Sequence, residues 1–303
     1  MIAFGLRQFL VYYWASASPG AEWAPIYIRL EIYKEGKSMS TGKGSIELWR
    51  ADDVAWVRVN RPEARNAMTS ALWEEMAKGI EGLSGDETVR VVIITGSGEK
   101  AFISGADVAE LKRMHADPAV EAVNAGFTDR LIRAISTSHK PVIAMINGYC
   151  FGGGLMIAAA CDLRLAAEGA SFGVPAGKLG LAYPVLHGTL RLATLIGPSA
   201  ASDILLTGRQ LNASEALRIG LINQLAPYSE LEALTLTYAR QLAAAAPLSI
   251  RAHKYALQNI RFTLGSEELI QAQRLGEECY RSEDFEEGLN AFAEKRAPGF
   301  KGC

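Results

Sequence analysis

Two glycine-rich corners constrain this chain more than any other feature. Ala101-Phe102-Ile103-Ser104-Gly105-Ala106-Asp107 and Asn147-Gly148-Tyr149-Cys150-Phe151-Gly152-Gly153-Gly154 each follow a strand-like apolar run and lead into a helix-like segment. The runs, Val91-Val92-Ile93-Ile94 and Val142-Ile143-Ala144-Met145-Ile146, are continuous rather than alternating, as in strands covered on both faces. Strand, glycine corner and helix thus recur in order, and the chain after His187 is almost entirely helical. That pattern predicts an α/β architecture followed by a helical region.

Around this frame, residues 46–50 and 54–59 read as strands of a hairpin turning at Asp52-Asp53. Thr69 caps a helix bearing Leu72, Met76, Ile80 and Leu83 at helical spacing. Asp107 and Glu110 have capping-box spacing. Further helices are expected at 119–135 and 155–160, strands at 163–166 and 221–225, and an irregular loop from Pro175 to Pro184.

The 303 residues carry a formal net charge of −2 and are 49% hydrophobic. This is a globular composition with no footprint for nucleic acid or an anionic membrane surface. The four cysteines, Cys150, Cys161, Cys279 and Cys303, include no C-x-x-C pair, and His139 and His187 complete no metal-ligand pattern with them. They are expected to be buried free thiols in a reducing cytoplasm. Residues 1–38 are aromatic-rich and aperiodic, with a segment at 2–17 that superficially resembles a signal peptide. The expectation is that Met39 is the natural start and that residues 1–38 are an upstream read-through or a loosely packed extension.

Three consecutive glycines before an apolar helix carry an entropic cost that calls for a reason. Close approach of a ligand to the main chain is one, because the first amides of a helix are unpaired and lie at its positive end. The expectation is that the amides of Gly153 and Ser104 aim at one oxygen and form an oxyanion hole. The Ser104 side chain is not expected to be a nucleophile, since no histidine stands in a recognisable triad order.

These corners resemble those of the enoyl-CoA hydratase/isomerase, or crotonase, superfamily. Asn60-Arg61-Pro62-Glu63-Ala64-Arg65-Asn66-Ala67 is similar to its first signature, Ala101 through Asp107 to its second, and Lys140 through Gly154 with Cys161-Asp162 to its third. The segment Glu286 through Arg296 resembles its last helix. The resemblance covers about residues 46–302. It implies a spiral of ββα units, a helical C-terminal region that builds trimers or dimers of trimers, and an acyl-CoA thioester substrate. The expected division is 1–38 as extension, 39–210 as the ββα-spiral acyl-CoA-binding core and 211–303 as the helical oligomerisation region. Carried over by position, Ala101, Phe102, Ile103, Gly105, Ala106, Asp107 and Gly152 flank the ligand with the two donors, and Lys295 and Lys301 neighbour the phosphates or adenine. A loop at about 114–124 and the C-terminal helices would shape the acyl pocket. No metal or redox cofactor is indicated, since neither corner has a nucleotide-loop spacing; coenzyme A enters as part of the substrate.

The sequence departs from the hydratases of that superfamily where they place two glutamates: here stand Met156 and Ala176, neither able to exchange a proton. A positioned acid or base is worth about 10²–10⁴ in rate. An oxyanion hole without that pair suits loss of CO₂ from a malonyl-type thioester through an enolate, in an apolar pocket lined by Met156 and Ala176. Tyr183 and His187 are the candidate acids. Leu179-Gly180-Leu181-Ala182-Tyr183 resembles the tyrosine-bearing stretch of methylmalonyl-CoA decarboxylases, although Ala106 replaces their histidine and Pro175-Ala176 their Thr-Pro pair. A decarboxylase-type lyase is the leading expectation. The alternatives are a hydratase/isomerase with atypical catalytic groups and an inactive acyl-CoA-binding subunit. Asp162, between a helix and a strand, is expected to be structural.

Overall fold

A computed structural model describes residues 44–259, 277, 281–296 and 298–299. The expectations placed on residues 1–38, Met39, Cys279, Lys301 and Cys303 lie outside the described residues. Strands β1 (Ser45–Ala51) and β2 (Val54–Asn60) form the predicted antiparallel hairpin, with Ala51 opposite Val54 and Asp52 at φ 55° in the turn. From there each first strand of a unit enters one sheet and the second enters another. Strands β3 (Val91–Gly96), β5 (Val142–Ile146) and β7 (Leu163–Ala167) extend the hairpin in parallel, and β10 (Gln224–Ala226) closes a six-stranded sheet ordered β1-β2-β3-β5-β7-β10. Strands β4 (Ala101–Ile103), β6 (Tyr149–Phe151), β8 (Ser171–Gly173) and β9 (Gln210–Asn212) form a second sheet in that order. The result is the spiral of ββα units that the motifs imply.

The helices returning from these strands are α1 (Ser70–Gly85), α2 (Val108–Ala116), α3 (Pro118–Thr137) and α4 (Gly153–Ala160); α5 (Leu190–Thr207), α6 (Ala213–Arg218), α7 (Tyr228–Ala244), α8 (Pro247–Asn259) and α9 (Glu283–Glu294) follow. The period-2 geometry of a strand explains the continuous apolar runs. Val92, Ile94 and Ala144 face the main core with Leu72, Met76, Leu131 and Ile157, whereas Val91, Ile93 and Ile143 face a second cluster with Leu231 and Ala239 of α7. Burial of each of the larger side chains among these stabilises the fold by about 1.5–3 kcal/mol.

Several expectations change in detail. The corners do not run straight from buried strand to helix: each passes through a three-residue strand of the small sheet, β4 or β6, too short to register as a periodic pattern. Residues 114–124 are not a loop, because only Asp117 separates α2 from α3, and its carboxylate accepts the Ala119 N–H at 2.9 Å. The strand expected at 221–225 is β10 at 224–226, since the amides of Leu221 and Ile222 bond the carbonyl of Ala216. His187 lies in a π-helical turn, Val185–Thr189, ahead of α5. Asp162 Oδ2 accepts the Val142 N–H at 2.8 Å and the ammonium of Lys254 at 2.7 Å, linking α8 to the head of β5. Among the described residues no helix is long and apolar enough to cross a membrane.

Candidate active site

The parallel pairing of β4 with β6 brings the two glycine corners side by side. Their glycines are there because neighbouring backbone leaves no room. A β-carbon on Gly154 would lie 1.9 Å from the Ile103 carbonyl oxygen, and one on Gly105, at φ +119°, would lie 3.3 Å from that of Phe151. Gly152 at φ +48° and ψ −115° then turns the chain into α4. Its N–H donates to Gly173 of β8 at 2.9 Å, and its carbonyl accepts the Met156 N–H at 3.0 Å. No side chain caps α4, so the amide of Gly153, in the first turn, has no acceptor within the helix.

The second amide is not the expected one. Ser104 donates its N–H to the Arg65 carbonyl at 3.2 Å, and its hydroxyl approaches the Ala64 carbonyl at 3.5 Å. Both groups are tied into the loop after β2, so the Ser104 amide already has an acceptor. Ala106 takes the place expected for Ser104. An isolated parallel bridge joins Met68 to Ala106: Met68 N–H donates to Gly105 at 2.8 Å and Asp107 N–H donates to Met68 at 2.9 Å. In this pattern the residue between the two bonded groups turns its own N–H the other way. Gly153 lies on that side, where its β-carbon would stand 3.6 Å from Ala106 N, and a β-carbon on Gly105 would stand 3.7 Å from Gly153 N. The signal available in the sequence was Asp107: a cap on α2 fixes the peptide ahead of it.

A polar scaffold holds this corner. Asn66, fully buried, donates from Nδ2 to the carbonyls of Ala101 at 2.8 Å and Ser97 at 3.1 Å, and accepts the Arg61 N–H at 3.0 Å. Arg61 Nη1 meets Asp107 Oδ2 at 2.7 Å, while Asp107 Oδ1 accepts the N–H groups of Ala109 and Glu110. Burial pushes the Asp107 carboxyl up, but Arg61 and these amides outweigh it and hold it below the usual range. Only half of the predicted capping box forms, since Glu110 reaches across to the N–H and hydroxyl of Ser70 at 2.6 and 2.5 Å.

The other predicted residues fall into distinct places. Tyr183 donates its hydroxyl to the Gly152 carbonyl at 2.9 Å. His187 bonds through Nε2 to Asp129 Oδ1 of α3 at 2.5 Å, and its buried Nδ1 has no partner among the described residues. Burial pushes the Asp129 carboxyl up, and the bonds from His187 and Arg133 bring it below its ordinary value. Met156 is 3% exposed in the main core, and Ala176 packs against the same cluster. Trp73 of α1, which the sequence reading did not single out, sets its ring against Gly153, where a β-carbon would meet Cζ2 at 2.9 Å. Ala101, Phe102 and Ile103 are buried as β4. Lys295 is exposed at the C-terminal cap of α9. That helix lies on the turn following Ala176, where a β-carbon on Gly180 would be 2.3 Å from the Asp284 carbonyl oxygen. A cavity of about 460 Å³ opens between them, lined by Pro175, Lys178, Leu179, Phe292 and Arg296 among others. Among the described residues no three His, Cys, Asp or Glu side chains group as metal ligands.

Two apposed amides can stabilise an oxygen that gains negative charge. Comparison with known proteins bears on what carries that oxygen. The sequence model for the family described as enoyl-CoA hydratase/isomerase matches residues 50–303. A short-chain-enoyl-CoA hydratase of Clostridium acetobutylicum is 36% identical over 260 residues, covering 85% of this chain and 98% of that protein. Among solved structures, an enoyl-CoA hydratase/carnithine racemase from Magnetospirillum magneticum is 36% identical, with a TM-score of 0.68 over 85% of this chain and 96% of that one. A methylmalonyl-CoA decarboxylase in complex with 2-nitronate-propionyl-CoA is 28% identical, with a TM-score of 0.77 over 85% of this chain and 98% of that one.

Proposed function

The chain belongs to the enoyl-CoA hydratase/isomerase family, and on that premise we propose that it acts on an acyl-CoA thioester whose carbonyl oxygen sits between the amides of Ala106 and Gly153. The observation that carries this reading is the convergence of those amides. Gly153 N–H has no acceptor within α4, and Ala106 N–H turns toward it. Both residues keep partial exposure, as a ligand requires. A donor in such a hole is worth about 10²–10³ in turnover.

For the reaction itself, the pair Met156 and Ala176 favours decarboxylation over hydration. In that step the bond from the α-carbon to a carboxylate breaks, CO₂ leaves, and the electron pair moves into the thioester to give an enolate. The two amides bear the developing charge. A proton then adds to the α-carbon. No electron is exchanged with an outside acceptor, so the step calls for coenzyme A only as part of the substrate. The likeness to a methylmalonyl-CoA decarboxylase is consistent with this choice.

A second reading, hydration with atypical groups, is favoured by a different observation. Named hydratases are 36% identical to this chain, and His187, held by Asp129, keeps Nδ1 without a partner among the described residues. Assay of the purified protein with methylmalonyl-CoA and with crotonyl-CoA separates the readings. Release of CO₂ from the first supports the lyase, and rapid hydration of the second overturns it. Binding of both without turnover marks an acyl-CoA-binding subunit. The assembly is proposed to be a trimer or a dimer of trimers, a mass that light scattering reads directly.

A further inference from the structure

The peptide joining Gly152 to Gly153 presents one face to the proposed oxyanion and the other to Tyr183. Its N–H is that of Gly153, and its carbonyl accepts two bonds, from the Tyr183 hydroxyl at 2.9 Å and the Met156 N–H at 3.0 Å. An amide is a conjugated unit. Electron density drawn to its oxygen leaves the nitrogen poorer and its N–H a stronger donor, the cooperative strengthening of hydrogen bonds in series.

We propose that Tyr183 is a positioning residue, which fixes the Gly152–Gly153 peptide plane and strengthens the Gly153 N–H as a donor to the substrate oxygen. This rests on the reading of the site given above and goes beyond it by assigning Tyr183 to the backbone rather than to the substrate. Three features support it. Gly152 has no side chain and a positive φ, so its own local preferences do not hold the plane. Tyr183 is itself held: Gly188 leaves room for its ring, where a β-carbon would lie 2.6 Å from the ring edge, and Thr189 Oγ1 donates to its carbonyl at 3.3 Å. The Tyr183 proton is already directed at Gly152, and burial pushes the phenol well above its ordinary range. A group so placed is a persistent hydrogen-bond donor and a poor source of protons for carbon.

The test uses the full chain and butyryl-CoA labelled with ¹³C at the thioester carbonyl, read by isotope-edited infrared spectroscopy. In the wild-type protein the bound carbonyl band is expected below its position in water. In Tyr183→Phe, which keeps the ring, the band is expected to move back toward the water value, with turnover of the assayed thioester down about tenfold and KM little changed. Replacing Tyr183 by 3-fluorotyrosine, whose hydroxyl is a stronger donor in the same shape, is expected to move the band further down, and it serves equally if the phenylalanine variant does not fold. An unshifted wild-type band, or no binding, removes the oxyanion-hole reading and this inference with it. A shifted wild-type band that neither variant alters overturns the inference alone. Loss of turnover by about 10²-fold or more with an unaltered band assigns Tyr183 to proton transfer instead.

Discussion

The amide nitrogen of Ala106 lies 3.6 Å from the point at which a β-carbon on Gly153 would stand. Two segments 47 positions apart are brought to that distance by the pairing of β4 with β6, and the glycines are what the approach requires.

The Ser104 side chain faces the Ala64 carbonyl and its amide faces Arg65. Ser104→Ala is therefore expected to leave turnover within about threefold of wild type. Ala106→Pro, which deletes a donor amide, is expected to lower turnover by about 10²–10³. Steady-state kinetics on both variants, with melting curves as the folding control, check this.

Gly154→Ala tests the close approach. Its β-carbon would fall 1.9 Å from the Ile103 oxygen, a backbone atom that cannot swing aside. Overpacking of this kind costs about 1–3 kcal/mol or more. Urea denaturation is expected to show a loss at the upper end of that range, whereas Gly169→Ala, where the β-carbon meets nothing within 4 Å, is expected to change stability little.

Lys254 is 6% exposed and bonds Asp162 together with the carbonyls of Ile135 and Lys140. Lys254→Met removes the ammonium from all three acceptors and leaves the Asp162 carboxylate without its cation, though still bonded to the Val142 N–H. Breaking a buried pair costs about 3–5 kcal/mol; the partial exposure of Asp162 reduces this to about 2–3 kcal/mol. The shift in urea midpoint measures it.

The depressed Asp107 carboxyl makes stability pH-dependent. Its folded-state pKa lies below the unfolded value of about 3.9. Its contribution is therefore complete above that pH and lost as pH falls through the folded value. Asp107→Asn is expected to show a shallower fall in stability below about pH 4 in thermal melts taken at several pH values.

Cys150 and Cys161 are buried free thiols. Burial pushes both upward, Cys161 to about 12. Neither is expected to react with a thiol reagent at neutral pH in the folded protein, and both are expected to react at once in denaturant.

The sequence made the large sheet and its helices legible because buried strands and amphipathic helices leave long periodic traces. Val91 through Ile94 carried its strand unambiguously, and Thr69 and Asp107 marked their helices through capping chemistry. The small sheet was not legible. Its strands are three residues long and are defined by partners from distant units, which no local pattern records. That the Ser104 amide is already bonded was not legible for a related reason: the direction of an amide depends on what its neighbours bond, and the bridge from Ala106 to Met68 reaches 38 residues back along the chain. The link from Tyr183 to Gly152 likewise crosses the fold.

A crystal structure of the protein with a bound acyl-CoA thioester shows whether the amides of Ala106 and Gly153 hold the thioester oxygen. The thioester oxygen is expected within about 2.7–3.1 Å of both Ala106 N and Gly153 N. A thioester oxygen bound away from either nitrogen, or an Ala106 N–H turned to another acceptor, would contradict it.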